Sequence, residues 1–551
     1  MVDSLPTSTE TASSACSDRD FSKLVSLREL TTEEVLHLVK KSSPTTCDLD
    51  PVPTAMLLQN IDLLLPVLTS IINLSLSSGH FPSAMKSALV KPHLKKPNLD
   101  HNELSNYRPV SNLSFISKLI ERAVCSRLSE HLQELDLHDP FQSAYRTGHS
   151  TETALLKVVN DLRLGIDKRL LGLLVLLDLS SAFDTIDHER LICRLNIDFH
   201  IDGVALQWFQ SYLSSRFQCV VINGLRSDPV HLAWGVPQGS VLGPVLFSLY
   251  VKELGCVIDK HEVDRHHYAD DSQAYKCFIP TSPSTSTAFH QLSECCDNIK
   301  AWMHDNKLKL NSSKTECILL GPPKRRALCE SSCFEFDNTP IAISDTVKDL
   351  GVVLDSDLSL DSHVSQISRC CFGQLRNIGH IRSHLTTQST IVLVLTLVMS
   401  RIDYCNSLLV GATKAQINKL QRVQNAAARM VTKSRKHDHI KPLLQSLHWL
   451  PVEYRIQHKL LCITFQCLQG SAPSYLVNSL TLHKPTRTLR SQDKNLLVPP
   501  KVSTATYGKR SFAFAAATAW NKLPQHLRDC LDLSTFKSEL KTHFFHLAFS
   551  L

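Results

Sequence analysis

Long apolar runs, a secretory leader, zinc-spaced cysteines and internal repeats are all missing from this sequence. The longest aliphatic stretch, Ile391 to Met399, is about half of what a bilayer-spanning helix needs. Met1 to Asp18 is rich in Ser and Thr and has neither the basic nor the apolar segment of a signal peptide. The 18 cysteines are scattered: Cys295-Cys296 and Cys370-Cys371 are adjacent pairs, Cys329 and Cys333 lie close, and none meets a second Cys/His pair at zinc spacing. They read as reduced thiols. No similarity recurs at the periods that mark solenoids or propellers. These absences argue against a membrane span, a disulfide scaffold, a zinc finger and a repeat array. An intracellular chain in cytoplasm and nucleus is the expectation.

Acidic residues are scarce at one end. From Gln366 to Leu551 there are 25 Lys and Arg against 7 Asp and Glu, a balance of +18, while residues 1–365 carry −11. The overall +7 hides that split. A basic C-terminal third suits a polyanionic partner.

A chain of 551 residues with 43% apolar and 20% charged composition is globular and long enough for several domains. Thr31-Thr32-Glu33-Glu34 opens a predicted helix to Lys41. Residues 55–78 are apolar at helical spacing, and 113–135, 150–168 and 203–216 read as helices. Leu171 to Asp178 reads as a buried strand, and Val220–Asn223 with Val230–Trp234 as a hairpin pair. Pro280 to Ser286 is expected to be a loop before a helix over 289–307, and Leu350 to Leu354 a strand. Beyond residue 361 the pattern is helical. Over 415–433, Leu420, Val423, Ala427, Met430 and Val431 share one face, and Lys419, Arg422, Arg429 and Lys433 another.

Two acidic clusters carry the chemistry. The apolar run Leu173 to Leu177 ends in Asp178, and Tyr268-Ala269-Asp270-Asp271 presents adjacent carboxylates; between them lies Gly235-Val236-Pro237-Gln238-Gly239-Ser240. A strand ending in Asp and a turn bearing two more could meet to hold two divalent cations. Such a pair activates a hydroxyl and stabilises a departing pyrophosphate in an in-line phosphoryl transfer.

Around these clusters stands an ordered series: Asn106-Tyr107-Arg108-Pro109-Val110-Ser111; Phe141-Gln142-Ser143-Ala144-Tyr145-Arg146 with Gly148-His149-Ser150-Thr151-Glu152; the Asp178 segment; Pro237-Gln238-Gly239; Tyr268 to Asp271; Asn311-Ser312-Ser313-Lys314-Thr315-Glu316; and Leu350-Gly351. The series resembles the reverse transcriptases of LINE-type (non-LTR) retrotransposons, vertebrate-type elements in particular. The resemblance runs from about Leu30 to Phe545.

The resemblance implies an α+β right-hand polymerase. Residues 1–29 would be a flexible leader, 30–165 an N-terminal extension and fingers, and 166–355 the palm with its antiparallel sheet. The reverse transcriptase domain as a whole would cover about 78–355, with a helical thumb at 356–470 and a mostly helical basic region at 471–551. It implies Mg2+, with Mn2+ as a substitute, on Asp178 and Asp270, Asp271 completing the acidic cluster, and Lys314 as the acid that protonates pyrophosphate. Lys96 and Arg108 would grip the triphosphate, Arg as a bidentate fork and Lys as a point charge. Gln238 and Gly239 would contact the nucleotide, and Phe183 would exclude a ribose 2'-hydroxyl. Arg146 and Gly351 would meet template and primer. Where the family usually has Gly-Phe, this chain has Ala144-Tyr145.

The implied partners are an RNA template, a DNA primer or target DNA, and dNTPs. Only about 30 residues precede the first recognisable segment, so the endonuclease common upstream in this family is expected to be supplied from elsewhere. Three rivals differ in kind, of which a structural or scaffold protein leaves the +18 C-terminal balance and the motif series unexplained. Another is a silent nucleic-acid-binding relic, which the filled catalytic positions oppose. The last is an RNA-directed RNA polymerase, which Phe183 and Pro237-Gln238-Gly239 oppose.

Overall fold

The computed structural model describes residues 22–180, 183–311, 314–329, 333–337, 339–483 and 495–550. Most of the expected leader (residues 1–21), Ser181 and Ala182 after the first acidic cluster, Ser312 and Ser313 beside Lys314, and basic residues Lys484, Arg487, Arg490 and Lys494 lie outside them. The chain divides into two compact units, residues 1–137 with 188–242, and residues 138–187 with 243–551. Both mix helix and sheet, as the α+β expectation required.

In the first unit the predicted helix starts where its capping signal stands. Thr31 and Glu34 form a reciprocal capping box on Thr32–Lys41. The last residues of the expected leader are not loose: Leu24 bridges to Ile201 and Leu27 is buried. A sheet runs in the order Tyr107–Asn112, Ser87–Leu94, Phe217–Ile222, Leu225–Arg226. Its central pair is parallel and its outer pairs antiparallel. Val230–His231 also pairs with Phe217–Ile222, so the predicted hairpin partner is present but shorter. Phe81, Trp208 and Tyr212 form an aromatic core, with Trp208 stacked on Tyr212 at 5.4 Å.

The helix Ile61–Ser78 has 18 residues with a mean hydropathy of 1.6, enough to cross a membrane by length and composition. Thr69, Ser70 and Asn73 interrupt its aliphatic residues, which hides it from a search for unbroken runs. Leu68, Ile72 and Leu76 are buried, and Asn73 bonds both the N–H and the carbonyl of Leu30 at 2.9 Å.

The second unit is built on a four-stranded antiparallel sheet in the order Glu316–Leu320, Leu171–Leu177, Asp271–Phe278, Asp264–Tyr268. Leu171–Leu177 is apolar throughout because it is central and covered: Leu173, Leu174 and Val175 are wholly buried. The helices Thr151–Asp167 and Ser282–Asp305 pack on this sheet. The expected loop over 280–286 ends at Thr281, and from Ser282 the chain is already in the latter helix, because Pro283 sits in its first turn, where proline's missing N–H costs nothing. Leu350 and Gly351 are likewise not strand. They form a turn with φ of 42° and 85° between Thr346–Asp349 and Val352–Asp355. The hydrophobic core continues from the sheet (Leu174, Tyr275, Ile318) into the helical part (Leu375, Leu420, Val423, Leu460, Phe512). In Lys414–Thr432 the predicted apolar face is buried at Leu420, Val423, Ala427 and Val431, while Lys419 and Arg422 are exposed.

Candidate active site

Register brings the acids together. Leu177 pairs with Ser272, and Tyr268 pairs with Asp271 across a two-residue turn. Asp178, one residue beyond Leu177, and Asp271, one before Ser272, therefore sit at the same end of two neighbouring central strands. Asp270 is at the tip of the turn. Burial of its carboxyl, then the charges of Asp270 and Asp178, push the pKa of Asp271 up to about 6, and Lys314 opposes the rise. The residue is nonetheless exposed to solvent, so the neighbouring acidic charges are the firmer cause of the rise.

Lys314 reaches this end of the sheet by a second pairing. Lys309–Leu310 pairs with Leu179–Ser180, and the Asn311 N–H donates to the Asp178 carbonyl at 2.9 Å. Lys314 Nζ then stands 2.5 Å from Asp178 Oδ2. Among the described residues no group of three or more His, Cys, Asp or Glu is arranged as a ready metal site. The donor chemistry nonetheless fits Mg2+. Asp178, Asp270 and Asp271 are hard oxygen donors, the charges of Asp270 and Asp178 both reach Asp271, and Mg2+ takes few protein carboxylates because waters and phosphates fill its shell. A divalent cation among them would reverse the electrostatics that hold the Asp271 proton.

Phe183, partly buried, lies in the same unit, with its ring 5.1 Å from that of Phe247. Gly351 is at the hairpin turn, where the Tyr404 hydroxyl donates to the Leu350 carbonyl at 2.6 Å. Arg146 is tied to its own loop. Its guanidinium donates to the carbonyls of Asp139 and Gln142 at 2.7 and 3.1 Å and so braces its own loop. The departure from the family's Gly-Phe is harmless at Ala144, since positive φ falls on Tyr145 (60°).

The first unit holds the other predicted residues. Arg108 is exposed on Tyr107–Asn112, opposite His93. Lys95 Nζ is engaged by the Ser105 carbonyl at 2.8 Å, whereas the Lys96 residue is exposed just past the strand end. Gln238 and Gly239 are held against the Arg108 strand: the Ser111 N–H donates to the Gln238 carbonyl at 2.7 Å. Gly239 has φ 123°, a region that only glycine enters readily.

Glu121 is absent from the residues expected from the sequence. It is fully buried on Phe115–Glu134 and accepts the N–H groups of Val241 at 2.7 Å and Leu242 at 3.1 Å, anchoring the chain just after Gly239. Burial pushes its carboxyl up, and the buried Arg216 guanidinium pulls it down. A charged residue on a stripe with Val124, Leu128 and Leu132 is the signal that could have found it. Glu121→Ala strands the buried Leu242 donor and the part-buried Val241 donor and is expected to lower the unfolding free energy by about 3 kcal/mol in urea titrations. Glu121→Gln, which keeps an oxygen acceptor, should lose less; an unchanged midpoint for Glu121→Ala would sink this assignment.

Residues 94–354 match the family model described as reverse transcriptase (RNA-dependent DNA polymerase). The chain is 28% identical over 375 residues to a probable RNA-directed DNA polymerase from transposon BS of Drosophila melanogaster, covering 66% of this chain and 40% of that one. It is 26% identical over 426 residues to the RNA-directed DNA polymerase from mobile element jockey of the same organism, covering 75% and 45%. The chain thus spans less than half the length of these curated relatives. Among solved structures, an apo telomerase from Candida Tropicalis aligns over 50% of this chain and 54% of that one, with 12% identity and a TM-score of 0.35.

Proposed function

Residues 94–354 of this chain are a reverse transcriptase domain related to those of non-LTR retrotransposons, and from that premise we propose that the protein extends a primer 3'-hydroxyl with dNTPs on an RNA template. The observation that carries the reading is the register of the central strands, which sets Asp178 beside the Tyr268–Asp271 turn. Mg2+ held by Asp178 and Asp270, with Asp271 in support, would activate the hydroxyl and stabilise the leaving pyrophosphate. Lys314 would carry, at Nζ, the proton that the pyrophosphate takes. Arg108 and Lys96 would bind phosphate oxygens, and the Gln238 turn would orient the nucleotide. The +18 balance after residue 365 and the exposed Lys419 and Arg422 suit the phosphate backbone of a template–primer duplex.

The test is extension of oligo(dT) on poly(rA) with Mg2+. The expected result is incorporation of dTTP in strong preference to UTP, lost on chelation. Phe183→Val should erode the preference for dTTP by about 10- to 100-fold, because it opens the space a 2'-hydroxyl needs. A folded protein that binds the duplex and never extends it would favour the silent nucleic-acid-binding relic instead.

A further inference from the structure

The turn that carries Asp270 is tight, and it is unusual in composition. Tyr268 pairs with Asp271, so Ala269 and Asp270 alone make the bend. Ala269 has φ 59°, where a Cβ is disfavoured and Gly, Asn or Asp is the usual occupant.

The compensation comes from a residue distant in sequence. Gln142 is 5% exposed. Its Oε1 accepts the Ala269 N–H at 3.0 Å, and its Nε2 donates to the Ala269 carbonyl at 3.3 Å. The same Oε1 accepts the Ala144 N–H at 3.0 Å, which fixes the orientation of the amide. The backbone around it is fastened to the strand entering the turn. The His267 N–H donates to the Phe141 carbonyl at 2.9 Å, and the Ser143 N–H donates to the His267 carbonyl at 3.0 Å. Arg146 ties the Gln142 carbonyl from the other side. A carboxamide is a neutral side chain that offers a donor and an acceptor at the spacing of a peptide group. Holding both polar groups of one residue sets the peptide planes on either side of Ala269, and so the direction in which Asp270 leaves the turn.

We propose that Gln142 is a positioning residue for Asp270: its amide brackets Ala269, holds the turn in left-handed geometry, and aims the carboxylate for metal binding. The proposal rests on the polymerase reading of the acidic cluster.

The experiment compares the parent with Gln142→Met, Ala269→Gly and the double variant. Mn2+ affinity is read by electron paramagnetic resonance, kcat and KM for dTTP by primer extension, and folding by thermal unfolding. Gln142→Met, similar in volume but without the amide, should weaken Mn2+ binding and lower kcat by about 10- to 100-fold each. KM for dTTP should stay within about threefold, because nucleotide binding is not what the amide supports. Ala269→Gly alone should change little. Added to Gln142→Met it should restore about tenfold in both readouts, since glycine holds positive φ without the bracket.

Equal Mn2+ affinity in the parent and Gln142→Met overturns the proposal, as does a double variant no better than Gln142→Met. If Gln142→Met does not unfold cooperatively, Gln142→Glu, which keeps the acceptor, takes its place, with the same rescue required. Absence of extension by the parent, with the Mn2+ difference and its rescue intact, would overturn the polymerase reading and leave the role of Gln142 standing.

Discussion

Asp270→Asn should abolish primer extension, lowering kcat by at least about 10³-fold, without lowering the thermal midpoint or the affinity for a primer–template duplex. Asparagine matches aspartate in shape, so the two-residue turn and its pairing of Tyr268 with Asp271 survive. The substitution removes one anionic oxygen donor. It also removes the neighbouring charge that, after burial, contributes most to the raised pKa of Asp271. With that charge gone Asp271 ionises at lower pH than the parent's value of about 6. At pH 7 the variant's Asp271 is therefore more fully ionised than the parent's, and the loss cannot be assigned to protonation. In the metal-free parent Asp271 takes up a proton as pH drops through about 6; bound Mg2+ opposes that uptake, so extension should fall only at lower pH. Single-turnover extension with both proteins checks the first statement, and its pH profile the second. A variant retaining more than about a tenth of parental kcat would remove Asp270 from the metal set.

Gly239→Ala should be the most damaging small substitution in the first unit. A Cβ there would stand 2.6 Å from the Ser111 carbonyl oxygen, on a backbone with φ 123°. Neither side can yield cheaply. The neighbour is backbone in a paired strand, and the Ser111 N–H already holds the Gln238 carbonyl at 2.7 Å. The turn must therefore move away from the strand and take Gln238 with it. The expected result is a fall of about 100-fold in kcat/KM for dTTP and a loss of about 2–4 kcal/mol in unfolding free energy. Gly224→Ala is the control: its φ is 84°, but nothing lies within 4 Å of the added Cβ. It should cost about 1 kcal/mol and leave extension unchanged. Equal effects of the two substitutions, measured by urea unfolding and steady-state extension, would remove the close approach to Ser111 as the cause.

Features held in a few consecutive residues are legible in the amino-acid sequence. The apolar run Leu171–Leu177 has to be a covered strand because no polar alternation offers it a wet face. Thr31 with Glu34 marks a helix start, since the capping box needs only those two side chains and their own backbone. The acidic residues Asp178, Asp270 and Asp271 are marked by type and neighbours. Local signals mislead where two of them conflict. Pro283 among Ser and Thr reads as a loop but opens a helix, and Leu350-Gly351 reads as strand but is a turn of positive φ.

By itself, then, the sequence determined the helices, the central strand, the order of motifs and the identity of the charged groups, because those depend on side-chain periodicity and on interactions a few residues long. Only the tertiary structure decided which groups hold the acidic cluster and the Gly239 turn in place. Gln142 meets Ala269 across 127 positions, Glu121 meets Val241 across 120, and Lys314 meets Asp178 across 136. Each of these depends on strand register and on chain segments brought together by burial of a shared core. No periodicity encodes them, because the hydrophobic effect that drives such burial is non-directional and specifies that segments meet, while hydrogen-bond geometry chooses the partners only after they have met.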